Sequence, residues 1–180
     1  MKEKLLKQTK KEYSPNQRMV MMLVLAPIFL IVLPLILITL GSRIDHWLEW
    51  SPILDKPFNL ILGSLLTVAG LILGLWSNYV QLTLGRGTPV PIMATQKLII
   101  QPPYNYCRNP MALGAILMYL GVAFLFRSIG AVVLVLLGGG ILLAYIKQVE
   151  EAEMETRFGE EYLRYKKQTP FLIPRFRKHN

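Results

Sequence analysis

The chain has 180 residues, of which 53% are hydrophobic and 17% charged, and its mean hydropathy is +0.40. A water-soluble domain of this length needs more polar surface to cover its core. The apolar content excludes intrinsic disorder, and a single cysteine, Cys107, excludes a disulfide scaffold. The formal charge of +9, from 20 Lys and Arg against 11 Asp and Glu, suits nucleic acid or an anionic membrane face.

The hydrophobic segments decide for the membrane. Met19 to Leu40 carries no charged residue and as a helix is about 33 Å long, enough to cross a bilayer core. Pro27 and Pro34 lie inside it and are expected to kink the helix, as transmembrane helices allow. The stretch is too long for the core of a signal peptide, and no small-x-small cleavage site precedes Arg43. Phe58 to Leu84 is a second uncharged span, in which Gly63, Gly70 and Gly74 suit close helix approach. Met111 to Phe126 and Ile129 to Ile146 are shorter. With only Arg127 and Ser128 between them, they are expected to form an antiparallel hairpin, packed closely at Gly138-Gly139-Gly140.

The fold class is therefore an all-α membrane protein with about four transmembrane helices, followed by a helix at the cytoplasmic surface. Residues 1–18 form a basic N-terminus, 19–57 the first helix and outer loop, and 58–180 the main membrane domain. With both termini in the cytoplasm, the inner segments hold six, three and eight Lys and Arg and the outer ones two and one. The positive-inside rule selects that orientation. The basic excess is then orientation and lipid-headgroup contact, and no motif speaks for nucleic acid. Trp47 and Trp50 in the outer loop read as interfacial anchors.

No ionisable residue lies in the middle of a span, which weakens a small proton-coupled exporter. Polar residues gather instead in segments 85–110 and 147–175, at the two cytoplasmic ends of the hairpin. The first is rich in glycine, proline and tyrosine; Lys97 to Ile100 reads as a short extended piece within it. The second continues the fourth helix. Its pairs Glu153–Arg157 and Glu160–Arg164 have the favourable i,i+4 order and read as a solvated face. Glu150 and Glu151 stand about one turn beyond the apolar end. An acidic group there calls for a partner, and Arg108 or a cationic ligand could supply it.

Gly85 to Pro91, Tyr104-x-x-x-Arg108-Asn109-Pro110-Met111, Glu150-Glu151 and Phe158-Gly159-Glu160-Glu161-Tyr162-x-x-Tyr165 occur in a familiar order. Over residues 60–175 the chain resembles the integral-membrane S-adenosylmethionine-dependent methyltransferases, which include isoprenylcysteine carboxyl methyltransferase and bacterial phospholipid methyltransferase-like proteins. The resemblance implies a cofactor site at the cytoplasmic membrane surface, in a bacterial inner membrane. Carried over by position, Gln96, Lys97, Leu98 and Ile99 match the strand-like piece lining S-adenosylmethionine, and Tyr104 matches the tyrosine of a Gly-Pro-Tyr turn. Asn109, Pro110, Met111 and Ala112 match the Arg-Asn-Pro-Met-Tyr element. Glu150 matches the first glutamate contacting the cofactor, and Arg108 and Glu151 brace the two halves. Arg108, Glu150 and Glu151 are thus the catalytic candidates.

The implied acceptor is lipophilic or small: a prenylcysteine-like carboxylate, a phospholipid amine or a thiol. No metal is implied. Four positions depart from the pattern. Pro102 stands for glycine, Asn109 for the histidine of the eukaryotic form, Ala112 for tyrosine, and Ile146 for the arginine that prenylcysteine enzymes place before the glutamate pair. His46 and His179 read as incidental. A small exporter or channel and a non-catalytic membrane scaffold are the competing readings.

Overall fold

The structure is a computed structural model that describes residues 14–85 and 95–175. The first thirteen residues, Arg86 to Pro91 of the expected cofactor segment, and Arg177, Lys178 and His179 lie outside the described residues. The fold is all-helical. Its elements are α1 (Pro15–Pro27), a π-helical turn (Ile28–Val32), α2 (Leu33–Trp47), α3 (Phe58–Thr83), α4 (Pro110–Leu125), α5 (Ile129–Tyr145), a second π-helical turn (Ile146–Glu150) and α6 (Glu151–Gln168). Among the described residues three continuous helices, Asn16–Trp47, Phe58–Thr83 and Ile129–Gln168, are long and apolar enough to cross a membrane; α4, with 16 residues, is shorter. Their outward faces are apolar: Ile141 is 73% exposed and Leu65 64%. In water such surfaces would drive association; in a bilayer they meet acyl chains.

The chain divides into two compact units. One comprises Leu25–Gly74 and Ala112–Ala144, and close backbone approach at glycines holds it together. A Cβ at Gly63 would lie 2.9 Å from the Gly121 carbonyl, and one at Gly114 2.7 Å from the Gly74 amide. Gly70 faces the Met118 backbone with still less room. Gly63 and Gly70, two of the three glycines expected to pack α3, do so against α4; a Cβ at Gly74 would meet nothing within 4 Å, and the close approach there is allowed by Gly114. Lipid solvates apolar side chains as well as protein does, so helices associate where small residues let backbones touch. The Gly138-Gly139-Gly140 run does not play that part, contrary to expectation. A Cβ at Gly138 or Gly140 would meet nothing within 4 Å, and one at Gly139 would touch only the Ile116 side chain. The tight contact of α5 is at its start, where a Cβ at Gly130 would sit 2.5 Å from the Gly41 carbonyl.

The prolines of the first helix explain its π turn. Pro34 has no N–H, and its ring would crowd the carbonyl one turn back. The helix widens instead: the Leu33 amide donates to the Ile28 carbonyl, five residues earlier. The Phe29 carbonyl then receives the Tyr119 hydroxyl of α4 at 2.9 Å. A neighbouring helix thus satisfies a backbone acceptor beside the proline.

The α4–α5 turn is closed as the short linker requires. Arg127 takes a positive φ of 58°; its amide donates to the Phe124 carbonyl and that of Ser128 to the Ala123 carbonyl, the paired bonds of a Schellman end. Ser128 Oγ then accepts from the Ala131 amide, and Asp45 Oδ1 accepts from the Gly130 amide at 2.7 Å. Both serve orphan donors of the α5 N-terminus, and the Asp45 charge suits its dipole.

The other unit comprises residues 1–24, Leu75–Met111 and Tyr145–Asn180. The described residues of both polar segments singled out by the sequence, 85–110 and 147–175, fall within it.

Candidate functional site

Arg108 is the hub of this second unit. Its Nη2 and Nε lie 2.7 and 2.9 Å from Glu151 Oε1. Nη1 donates to the carbonyls of Lys166 at 3.0 Å and Thr169 at 2.6 Å. The Arg108 amide donates to the Pro170 carbonyl, and the guanidinium carbon sits 5.6 Å from the Phe171 ring centroid. A planar fork of donors suits this task and a lysine ammonium does not. The next residue repeats the link, since Asn109 Nδ2 donates to the Phe171 carbonyl at 2.9 Å. The residues entering the hairpin and those leaving it are therefore tied together, though 43 positions separate Arg108 from Glu151.

Glu151 is buried, with only 4% of its side chain exposed. Desolvating a carboxylate is costly unless it is fully paired. Arg108 occupies Oε1, and Lys166 Nζ lies 2.8 Å from Oε2 and 2.7 Å from Glu155 Oε1. Hydrogen bonds to Glu151 and then Glu155 raise the Lys166 pKa, so the ammonium stays charged. Glu150, its neighbour, is half-buried and takes part in no ion pair among the described residues. Burial first, and Glu153 second, push its carboxyl above the usual glutamate range. Adjacent helical residues point about 100° apart, and the two glutamates part at the end of a π turn, where the Glu151 amide bonds to the Ile146 carbonyl. One extra residue in the turn resets the face on which later side chains emerge.

Tyr104 is held at both ends. Its hydroxyl lies 3.3 Å from the Ser77 carbonyl and 3.3 Å from Gln81 Oε1 of α3, and its own carbonyl accepts the Tyr165 hydroxyl at 2.6 Å. Burial raises the pKa of Tyr104 and Tyr165 and pushes Tyr162 up to about 12, so all three phenols remain donors at neutral pH. Tyr162 and Tyr165 reach these positions past a break in α6. Gly159 has φ 52° and ψ −130°, a conformation essentially confined to glycine.

The remaining residues singled out by the sequence are placed as follows. Ile99 is buried, Gln96 and Leu98 are half-buried and Lys97 is exposed. Residues 97–100 form no strand; the expected extended piece is irregular backbone, tied by the Gln96 amide to the Gly85 carbonyl at 2.7 Å. Pro110 is buried as the first residue of α4, where a missing N–H costs nothing. Met111 is half-buried, and Ala112, also buried, falls in the first unit.

Sequence reasoning missed several contacts. Glu153 and Arg157 pair at 3.1 Å as expected, but with side chains only 20% and 10% exposed they are not a solvated face. Arg157 Nη2 also donates to the Thr95 carbonyl. Glu160 and Arg164 are exposed and form no ion pair among the described residues. The Trp76 ring meets Tyr106 edge-on, with centroids 6.3 Å apart. The unusual density of tyrosines at 104, 106, 162 and 165 was the available signal for these anchors. Among the described residues no group of His, Cys, Asp and Glu could hold a metal ion.

A search of curated proteins returns no match. The family model for phospholipid methyltransferases matches residues 58–161, a stretch that holds α3, both hairpin helices, Arg108 and the two glutamates. That family implies methyltransferase activity, and the lipid-facing helices make the chain an integral membrane protein. With more than half of its length matched, the chain belongs to the phospholipid methyltransferase family.

Proposed function

We propose that the protein uses S-adenosylmethionine to methylate a lipophilic or small acceptor at the cytoplasmic surface of a bacterial inner membrane, with both termini on that side. The observation that carries this reading is the contrast within one folded unit between Glu151, sealed by Arg108 and Lys166, and Glu150, half-buried without an ion-pair partner among the described residues. A desolvated carboxylate left uncompensated raises the free energy of the empty protein, and a cationic ligand removes that cost. The donor set fits S-adenosylmethionine, which carries a sulfonium, an ammonium and ribose hydroxyls. When bound, the cofactor supplies an electrophilic methyl group.

The chain's own part is to bind, orient and exclude water. Glu150 offers the negative charge. Gln96, Leu98 and Ile99 offer backbone and apolar groups, and Asn109 to Met111 hold the start of α4. In-line methyl displacement gains most from positioning and desolvation. Arg108 is saturated by Glu151 and backbone carbonyls, and Glu151 by Arg108 and Lys166, so their role is to fix the two segments rather than to touch the reacting atoms. A carboxylate, phospholipid amine or thiol acceptor needs no further base once deprotonated. Ile146, apolar where an arginine would pair with a carboxylate, favours the amine or thiol.

Isothermal calorimetry of the detergent-purified protein with S-adenosylhomocysteine tests the cofactor. Micromolar binding by the wild type and its loss in Glu150→Ala are expected, and absence of binding by folded wild-type protein overturns the reading. Mass spectrometry of lipids and thiols incubated with labelled S-adenosylmethionine then identifies the acceptor.

A further inference from the structure

We propose that Arg18, on the helix that precedes the family-matched residues, is a positioning residue for the cofactor segment; the inference rests on the cofactor reading above. Arg18 Nη1 donates to the Leu82 carbonyl at 3.2 Å, in the last turn of α3. A helix C-terminus leaves carbonyls unpartnered and carries partial negative charge, and a guanidinium answers both. The chain beyond that carbonyl is closely bound. The Leu84 and Gly85 amides return to the Val80 carbonyl at 2.9 and 3.4 Å, and the Gly85 carbonyl accepts from the Gln96 amide. Gly85 is buried, and a Cβ there would lie 2.7 Å from Ile99 Cδ1 and 2.8 Å from the Gln81 carbonyl. The clamp therefore leads from Arg18 through the α3 terminus and Gly85 to Gln96 and Ile99, two residues assigned to the cofactor.

An ordinary basic residue at a membrane surface would extend its head into water. Arg18 is half-buried, and its Nε is buried with no hydrogen-bond partner among the described residues. Leaving a charged donor dry is unfavourable, and the bond at Nη1 offsets part of that cost. Arg18 lies within the unit that contains Arg108 and Glu150.

The test compares full-length wild type, Arg18→Ala and Arg18→Lys in detergent, by amide hydrogen exchange and by S-adenosylhomocysteine calorimetry. In Arg18→Ala, exchange at Leu84, Gly85 and Gln96 should rise about tenfold, as for the loss of one hydrogen bond to a charged donor. Exchange across α4 and α5 should not change, and the Kd should rise about fivefold. Arg18→Lys, which keeps a charged donor, should restore much of both. Unchanged exchange at these amides, a rise spread equally over α4 and α5, or altered exchange with unaltered affinity each overturns the proposal. Should the wild type bind no S-adenosylhomocysteine while Arg18→Ala still frees the three amides, the positioning of Gln96 stands and the cofactor reading falls.

Discussion

Arg108 Nη2 and Glu151 Oε1 lie 2.7 Å apart with side chains 10% and 4% exposed, and they join the chain entering a helical hairpin to the chain leaving it. A buried pair contributes little when compared with apolar packing, but removing one partner strands the other charge. Glu151→Ala should therefore cost about 3 kcal/mol. Arg108→Lys keeps the charge but not the fork and should also lower the melting temperature. Thermal unfolding in detergent, followed by tryptophan fluorescence, measures both.

Glu150 should show the opposite balance of stability and binding. Its carboxyl is held above the usual range by burial, so the folded state takes up a proton more readily than the unfolded chain. Its ionisation is a penalty at neutral pH that is relieved as pH falls through the raised pKa. Cofactor affinity should run the other way and weaken as pH falls through that window, because the ligand needs the charge. Glu150→Gln should bind S-adenosylhomocysteine about tenfold more weakly at pH 7, lose the acid limb of the pH profile, and melt no lower than wild type.

Two glycines with open space around them should respond differently to alanine. A Cβ at Gly159 or at Gly138 would meet nothing within 4 Å. Gly159 has φ 52° and ψ −130°, so Gly159→Ala should cost about 1–3 kcal/mol in backbone strain. Gly138 is helical, and Gly138→Ala should be neutral or stabilising. Thermal midpoints of the two variants decide the matter.

The hydroxyl of Tyr119 meets the Phe29 carbonyl within the first π turn. Tyr119→Phe should cost about 0.6 kcal/mol, typical of a hydrogen bond between membrane helices. Gly70→Leu, which collides with the Met118 backbone, should be far more damaging. Neither residue belongs to the unit holding Glu150, so S-adenosylhomocysteine affinity of folded Tyr119→Phe should match wild type.

Most helices were legible because they are uncharged runs whose ends are marked by proline, charge or a two-residue gap. Phe58–Thr83 and Pro110–Leu125 fall within one residue of the spans expected. The first helix runs on to Trp47 because its flanking polar residues are still helical, and hydropathy is blind to that. The π turns were not legible: proline sterics account for the first, and nothing in the composition of Ile146–Glu150 marks the second. Of the candidate site, the Arg108–Glu151 attraction could be read from charge and topology. The carbonyls of Lys166, Thr169, Pro170 and Phe171 that complete it could not, since every residue has a carbonyl and only the folded path selects these.

Cys107 is the chain's one cysteine, 1% exposed, and burial raises its thiol pKa. Thiolate is the reactive form, so the natural sequence already behaves as a blank background for maleimide chemistry. Single cysteines introduced at the exposed positions Glu49 and Lys167 can then be labelled in intact cells and in inverted vesicles without first deleting a native thiol. Reagent reaching Glu49→Cys from outside and Lys167→Cys only after inversion would establish sidedness directly.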